Sequence, residues 1–279
     1  MKLCVLLSAF MLLALPVVAP ASDAYVVLRV SDGSELSFKD MTAELVRSRV
    51  IFVGEIHDVP ADHQLELDVL RAVHAAGVRL IIGLEMFRAE SQPALDRWVA
   101  GSLDETSFRK FYAQNWNEPW HLYRDILLYA RDKKIPLIGL NVDAGIAGKV
   151  ARSGFSSLTP RERAKLPSGI TCDIDQIYEA FIRSVHGEST RSPGGFRHFC
   201  EAQMLWDSAM AHTLAGALAR YPGRSAVVLA GSGHAWRRGI PTQLSRIMPD
   251  LRSIVVLPED ESGMITRDVT RADADFVVY

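Results

Sequence analysis

Four short β-branched runs, Val50 to Val53, Arg79 to Leu84, Ile135 to Leu140 and Ser225 to Ala230, are each followed by longer stretches with helical spacing. Between the first two lies an amphipathic segment, Ala61 to Ala76, with Leu65, Val69, Leu70 and Val73 on one face. Strands that alternate with helices pair in parallel through right-handed crossovers, with the helices covering the sheet faces. A hairpin is expected at the start, from Tyr25 to Val30 and Glu35 to Phe38 around Ser31-Asp32-Gly33, then a short helix from Lys39 to Arg47. Later strands are expected at Arg252 to Leu257 and Phe276 to Tyr279. The rhythm breaks twice, where helical patterns fill Ser91 to Lys134 and Val142 to Tyr221. The expectation is an α/β fold: a central, mainly parallel sheet flanked by helices, forming one domain over 22–279. A helical insertion or cap subdomain would draw on about 91–134 and 150–200.

A chain of 279 residues, 48% of them hydrophobic, buries a sizeable core without disulfides or a structural metal, so a metal or cofactor would serve function. With 31 Lys and Arg against 33 Asp and Glu, and no basic run, nothing here attracts a phosphate backbone; nucleic acid is excluded as a partner. Residues 1–21 read as a secretory signal peptide: Lys2, an apolar run from Leu3 to Ala14, Pro16, and a small-residue cleavage site at Ala19-Pro20-Ala21. A membrane anchor is the alternative, though Pro16 interrupts the run and its length is at the lower limit for a bilayer. Cys4 lies inside the apolar run, and Ala21-Ser22 at the cleavage site offers no cysteine for a lipid anchor.

In an oxidising compartment Cys172 and Cys200 either pair or remain as two buried thiols. Pairing would close a loop of about 28 residues, worth ~3 kcal/mol in the chain-entropy picture. The absence of Cys-x-x-Cys excludes thioredoxin chemistry and covalent c-type haem.

Polar groups gather just past the ends of four expected strands. Val53 runs into Gly54-Glu55-Ile56-His57-Asp58, Leu84 into Glu85, Leu140 into Asn141 and Asp143, and Ala230 into Gly231-Ser232-Gly233-His234. In an open parallel sheet, ligands bind in the crevice beyond the carboxyl ends of the strands. Gly-x-x-His occurs twice, at Gly54 and Gly231, where glycine permits close backbone approach. Glu55 and His57 lie two apart and share a face if the extended backbone continues. His57, His234, Glu55 and Glu85 would form an N/O site for zinc, manganese or iron. Alternatively, the same groups hydrogen-bond one another to close the sheet edge. On the expected helix Gly195 to Arg220, Gln203 and Asp207 are one turn apart; either they support the sheet-edge ligands, as Asn141 would, or they form a solvated face. His63 could face the crevice or solvent.

These stretches together resemble the ChaN-like haem-binding uptake family, in the superfamily that includes Tiki, TraB and erythromycin-esterase-like proteins. The resemblance rests on Val53 to Asp58 with His63, Gly83-Leu84-Glu85-Met86-Phe87, Ile138 to Asn141, Ala202 to Asp207 with Met210-Ala211, and Leu229 to His234 leading to Gly239-Ile240-Pro241. It implies an α/β core with a helical subdomain. It also implies a periplasmic or membrane-associated role in haem or iron acquisition, with an outer-membrane haem-uptake system as partner. In Tiki-like relatives the paired motifs and glutamates look like a divalent-metal site for hydrolysis; the corresponding residues here are Glu55, His57, Glu85 and His234. Haem iron in such a family can be held by Tyr, and Tyr112, Tyr123, Tyr129 and Tyr178 all stand as options.

Two functions therefore remain open. A haem-binding protein would use the Trp- and Tyr-bearing segment: Trp116, Tyr123, Tyr129 and Arg124 are its haem candidates, with Arg88 and Arg131 as further propionate partners. Such a site would be wide and shallow, and a second subunit, in a homodimer, could complete it. A metal-dependent hydrolase of esters or peptides would use Glu55 or Glu85 as general base beside the ion.

Overall fold

The computed structural model describes residues 25–186, 195–259 and 269–279. The signal peptide expected at 1–21 lies outside them, as does most of the turn expected at Ser192 to Gly195. In chain order the elements are β1 (Val27–Arg29), β2 (Ser34–Leu36), α1 (Phe38–Leu45), β3 (Val50–Glu55), α2 (Pro60–Ala75), β4 (Leu80–Arg88), α3 (Gln92–Ala100), α4 (Glu105–Tyr112) and α5 (Trp120–Asp132). Then follow β5 (Leu137–Asn141), α6 (Ala144–Ser153), α7 (Pro160–Arg163), α8 (Gln176–His186), α9 (Gly195–Arg220), β6 (Ser225–Gly231), α10 (Ser232–Ala235), α11 (Ile240–Ile247), β7 (Ser253–Pro258) and β8 (Phe276–Val278).

One sheet runs β2-β1-β8-β7-β3-β6-β4-β5. From β8 to β5 every neighbouring pair is parallel, and only β1 runs antiparallel, against both β2 and β8. The central strands are buried on both faces, which is why they read as continuous apolar runs. Their side chains nonetheless divide with period two. Ile51, Val53, Ile82, Leu84, Val227, Leu229 and Val256 pack with residues of α1 to α5, whereas Val50, Phe52, Ile81, Val228, Val255 and Leu257 pack with α8, α9 and α11. A smaller cluster joins Ile146, Ala147 and Val150 of α6 to Ala202 and Leu205 of α9.

The insertion α3 to α5 sits between β4 and β5 in the chain. Its aromatics Trp98, Phe108, Tyr112, Trp120 and Tyr123 belong to the same apolar cluster as α2 and the sheet, so it extends the helical layer on that face. Trp98 stacks on Phe108 with ring centroids 4.2 Å apart and donates its indole N–H to the Leu127 carbonyl at 2.9 Å. Helix α5 packs against α2, which aims Tyr123 toward the sheet edge.

One expectation changes, and one pair of alternatives is decided. Strand β4 continues to Arg88, so Glu85 lies within the strand rather than past its end. Cys172 and Cys200 are free thiols: Cys172 Sγ donates to the Glu201 carbonyl, and burial raises the two thiols to about 12 and about 11. Among the described residues, no helix is long and apolar enough to cross a membrane.

Candidate functional site: twin carboxylate-held histidines at the sheet edge

Strand register assembles the site. Strand β6 lies between β3 and β4, with Glu55 opposite Gly231 and Leu84 opposite Leu229. The two Gly-x-x-His segments therefore leave neighbouring strands side by side, with Glu85 on the far side of β6. Both glycines leave room that neighbouring side chains use. A methyl on Gly54 would lie 2.7 Å from Ser232 Oγ and 2.8 Å from Leu257 Cδ2, and one on Gly231 would lie 2.7 Å from His57 Cε1. That same Gly231 methyl would be 3.1 Å from His57 Nε2 and 3.7 Å from Glu85 Oε2, so His57 and Glu85 border one small space above Gly231.

Each histidine is held in the same way. His57 Nδ1 donates to Glu55 Oε1 at 2.6 Å, and Tyr123 donates its hydroxyl to that oxygen at 2.6 Å. His234 Nδ1 donates to Asp207 Oδ1 at 2.7 Å, and Tyr178 donates to Asp207 Oδ2 at 2.7 Å. An indole flanks each ring edge-on: Trp116 beside His57 at 5.0 Å and Trp206 beside His234 at 6.0 Å. Trp116 also donates its Nε1–H to the Tyr123 hydroxyl at 3.2 Å. A carboxylate on Nδ1 fixes the neutral tautomer that keeps the lone pair on Nε2, the arrangement of a metal-ligating imidazole. Glu85 stands between the two rings. Its Oε1 is 3.8 Å from His234 Nε2, its Oε2 accepts from the Gly231 amide at 2.8 Å, and its own carbonyl accepts from Asn141 Nδ2 at 2.9 Å.

Exposure separates supports from donors. The Glu55 and Asp207 side chains are 0% and 1% exposed, whereas His57 is 36% and His234 15% exposed. Burial opposes charge on His234, but the carboxylates of Glu85 and Asp207 outweigh it and raise the imidazole to about 9. His57 is raised too, burial being overcome by Glu55 and Glu85. Any metal at these nitrogens must displace protons.

Beneath His57, at the start of α2, lies a third histidine. His63 Nε2 donates to the His57 carbonyl at 3.1 Å, while Nδ1 lies 3.0 Å from Glu66 Oε2 and 3.2 Å from Glu55 Oε2. Burial disfavours its charge, yet the hydrogen bonds to the two glutamates raise it to about 10. Burial would raise Glu55, but the bonds from His57 and His63 hold it at about 2. Glu66 moves well above the usual carboxylate range because it is buried and beside the Glu55 charge.

The structure thus brings His57, His234, Glu55 and Glu85 to one place, with Glu55 behind His57 rather than beside it at the rim. Asp207 backs His234, Gln203 is buried one turn earlier on α9, and Trp116 borders the rim. Other haem candidates lie elsewhere. Tyr129 shares a hydrogen bond with His74, eleven residues further along α2 than His63, about 16 Å along the axis. Arg124 is exposed and paired with Glu105, one residue from the inward-facing Tyr123. Arg131 pairs with Asp132, whereas Arg88, at the end of β4, lies at the site's edge of the sheet. No tyrosine of the four offers a free phenolate: Tyr112 donates to the Glu118 carbonyl, Tyr123 and Tyr178 to carboxylates, and burial raises all four hydroxyls. Glu66 escaped sequence reasoning, although it falls on the stripe of Val69 and Val73, where a carboxylate requires a partner.

Comparison with known proteins agrees with this architecture. The chain is 25% identical over 259 residues to the Arabidopsis thaliana protein RETICULATA-RELATED 5, chloroplastic, a match covering 86% of this chain and 35% of that protein's length. The chain therefore spans about a third of that relative. Among solved structures it is similar to ChaN of Campylobacter jejuni, described for cofacial haem binding, with a TM-score of 0.70 and 18% identity, covering 91% of this chain and 96% of that one. Residues 41–244, well over half of the chain, match the family described as haem-binding uptake, Tiki superfamily, ChaN. With the paired Gly-x-x-His strands and the sheet that carries them, this match places the chain in the ChaN family of haem-binding uptake proteins.

Proposed function

We propose that the chain binds ferric haem at the rim formed by His57, His234 and Trp116, as an exported periplasmic carrier in haem or iron uptake. The family supports haem as the ligand class. The observation that carries the placement is His57: Nδ1 is committed to Glu55, while the ring is 36% exposed beside an indole. The donor set fits. Two carboxylate-supported imidazoles offer Nε2, and Trp116 and Trp206 give apolar surface for a flat ring system. His57 Nε2 or His234 Nε2 would be the atom to hold the haem iron, which would supply the affinity for an imidazole nitrogen. The chain's own work is to hold His57 in the ligating tautomer through Glu55 and Tyr123, and to offer Arg88 at the edge for a propionate. A second copy of this chain, in a homodimer, would be the partner that closes a shallow rim.

Titration with ferric haem, followed at the Soret band, tests the reading. His57→Ala is expected to weaken binding at least tenfold, and Tyr129→Phe to leave it unchanged; wild-type affinity in His57→Ala sinks the placement. Export, supported by the pattern in residues 1–21, is checked by the mass of protein recovered from the periplasm, expected to start at Ser22.

Glu85 favours a second reading, hydrolysis of an ester or peptide with a divalent ion. Glu85 Oε1 is 3.8 Å from His234 Nε2 and Glu85 borders His57 at Gly231, so the two imidazoles and the carboxylate would have to draw together to hold an ion as an N2O set. Turnover of a p-nitrophenyl ester that requires added Zn2+ or Mn2+ and vanishes in Glu85→Gln would support it.

A further inference from the structure

The rim does not use His63 and Glu66. Glu55, His63 and Glu66 are each at most 4% exposed, and one ligand atom from each lies within 4.8 Å of the others. Glu55 Oε1 is already taken by His57 and Tyr123, so Oε2 is the atom it contributes inward. Two carboxylate oxygens here are fully buried: Glu66 Oε1 has no hydrogen-bond partner among the described residues, and Glu55 Oε2 has only His63 Nδ1, at 3.2 Å. Buried oxygens left in this state are costly unless something else occupies the space. The imidazole is arranged for that purpose. His63 Nε2–H is fixed on the His57 carbonyl, which turns Nδ1 toward both carboxylates. The Nδ1-to-oxygen separations of 3.0 and 3.2 Å are close to the ~3.3 Å edge of a tetrahedron with bonds of about 2.0–2.1 Å. The Tyr123 ring covers His63 at 4.4 Å and closes the pocket on one side.

We propose that Glu55, His63 and Glu66 form a buried site for one divalent first-row transition ion, distinct from the rim donors His57 Nε2, His234 Nε2 and Glu85. One imidazole and two carboxylates suit Zn2+ or Mn2+, and the charges of the two carboxylates balance the ion. Glu55 then links the layers, with one oxygen on the rim histidine and the other on the ion below. Because the pocket is closed, the ion enters as the protein folds.

The test uses the full chain carrying His234→Ala, which removes an imidazole from the rim and touches none of the three buried ligands. The protein is unfolded in chelator, refolded with Zn2+, dialysed and analysed for zinc, with far-ultraviolet circular dichroism as the check on folding. One zinc per chain is expected, reduced at least tenfold when Glu66→Gln is added. Zinc K-edge absorption of the His234→Ala protein is expected to show one imidazole nitrogen and otherwise oxygen ligands. No retained zinc, full retention in the Glu66→Gln double variant, or a spectrum with two imidazoles overturns the proposal. If the double variant does not fold, the spectrum of the His234→Ala protein decides alone. Haem titration of the unsubstituted protein and of Glu66→Gln alone, both with His234 in place, scores the rim separately, so failure at one site is not mistaken for failure at the other.

Discussion

A methyl group on Gly231 would enter the space that His57 and Glu85 share, 2.7 Å from the end of a movable ring. The ring can yield, so Gly231→Ala is expected to cost about 1 kcal/mol or less in stability while weakening haem binding roughly tenfold, measured by urea unfolding and Soret titration. Asp207→Asn should act through His234. Without the carboxylate the imidazole falls from about 9 toward its ordinary value near 6.5, readable from its ring-proton shifts by NMR titration, and an unmoved midpoint would contradict the pairing. The gathering of His57, His234 and Glu85 at one rim was legible in the sequence because glycine, histidine and acid recur at fixed distances from strand ends. Glu55 and Asp207 as supports were half legible, since residue spacing shows that two groups share a face but not which stands in front. Glu66 was not, because a single acid among leucines on a helix announces neither its burial nor its partner. The partners of the tyrosines were hidden for a related reason: sequence shows a phenol but not that Tyr123 and Tyr178 donate their hydroxyls to carboxylates.

Strands and helices were easier to read than the residues between them. The alternation of apolar runs gave β3, β4, β5, β6 and β7 and the long α9, since buried parallel strands have few ways to appear in a sequence. The end of β4 was hidden, because Glu85 interrupts the apolar run while the backbone stays extended to Arg88. The relation of α3 to α5 to the rest was hidden too, since aromatic content does not distinguish a cap from a core layer. Trp98 shows which it is: fully buried, stacked on Phe108, its N–H capping the Leu127 carbonyl. Trp98→Ala is expected to cost about 3–5 kcal/mol in chemical denaturation, as deletion of a large core side chain does. Arg124→Ala, on the exposed side of α5, should change stability by no more than about 0.5 kcal/mol and leave haem binding intact.

Taken over the entire chain, the buried charges set a pH response with a definite sign. His57, His63 and His234 all have imidazoles raised above 6.5 in the folded protein, the last two to about 10 and about 9. Such groups contribute stability in full below the unfolded value and lose it as pH rises through the folded one. Glu66, also raised, works in the same direction, while Glu55, held at about 2, withdraws its contribution only as pH falls from its ordinary 4.5. Urea midpoints of the metal-free protein should therefore decline from about pH 6.5 to pH 10; a rising or flat profile would show that the imidazoles are not charged in the native state. On the same edge of the sheet as the site, across β7 from β3, Val26 and Tyr279 exchange both backbone hydrogen bonds, so the two ends of the described polypeptide run side by side. A circular permutant that links these ends through a few residues and opens the chain in the coil between α7 and α8 would keep every strand neighbour it has now, leaving a reporter fused at the new ends free to sense that helical face.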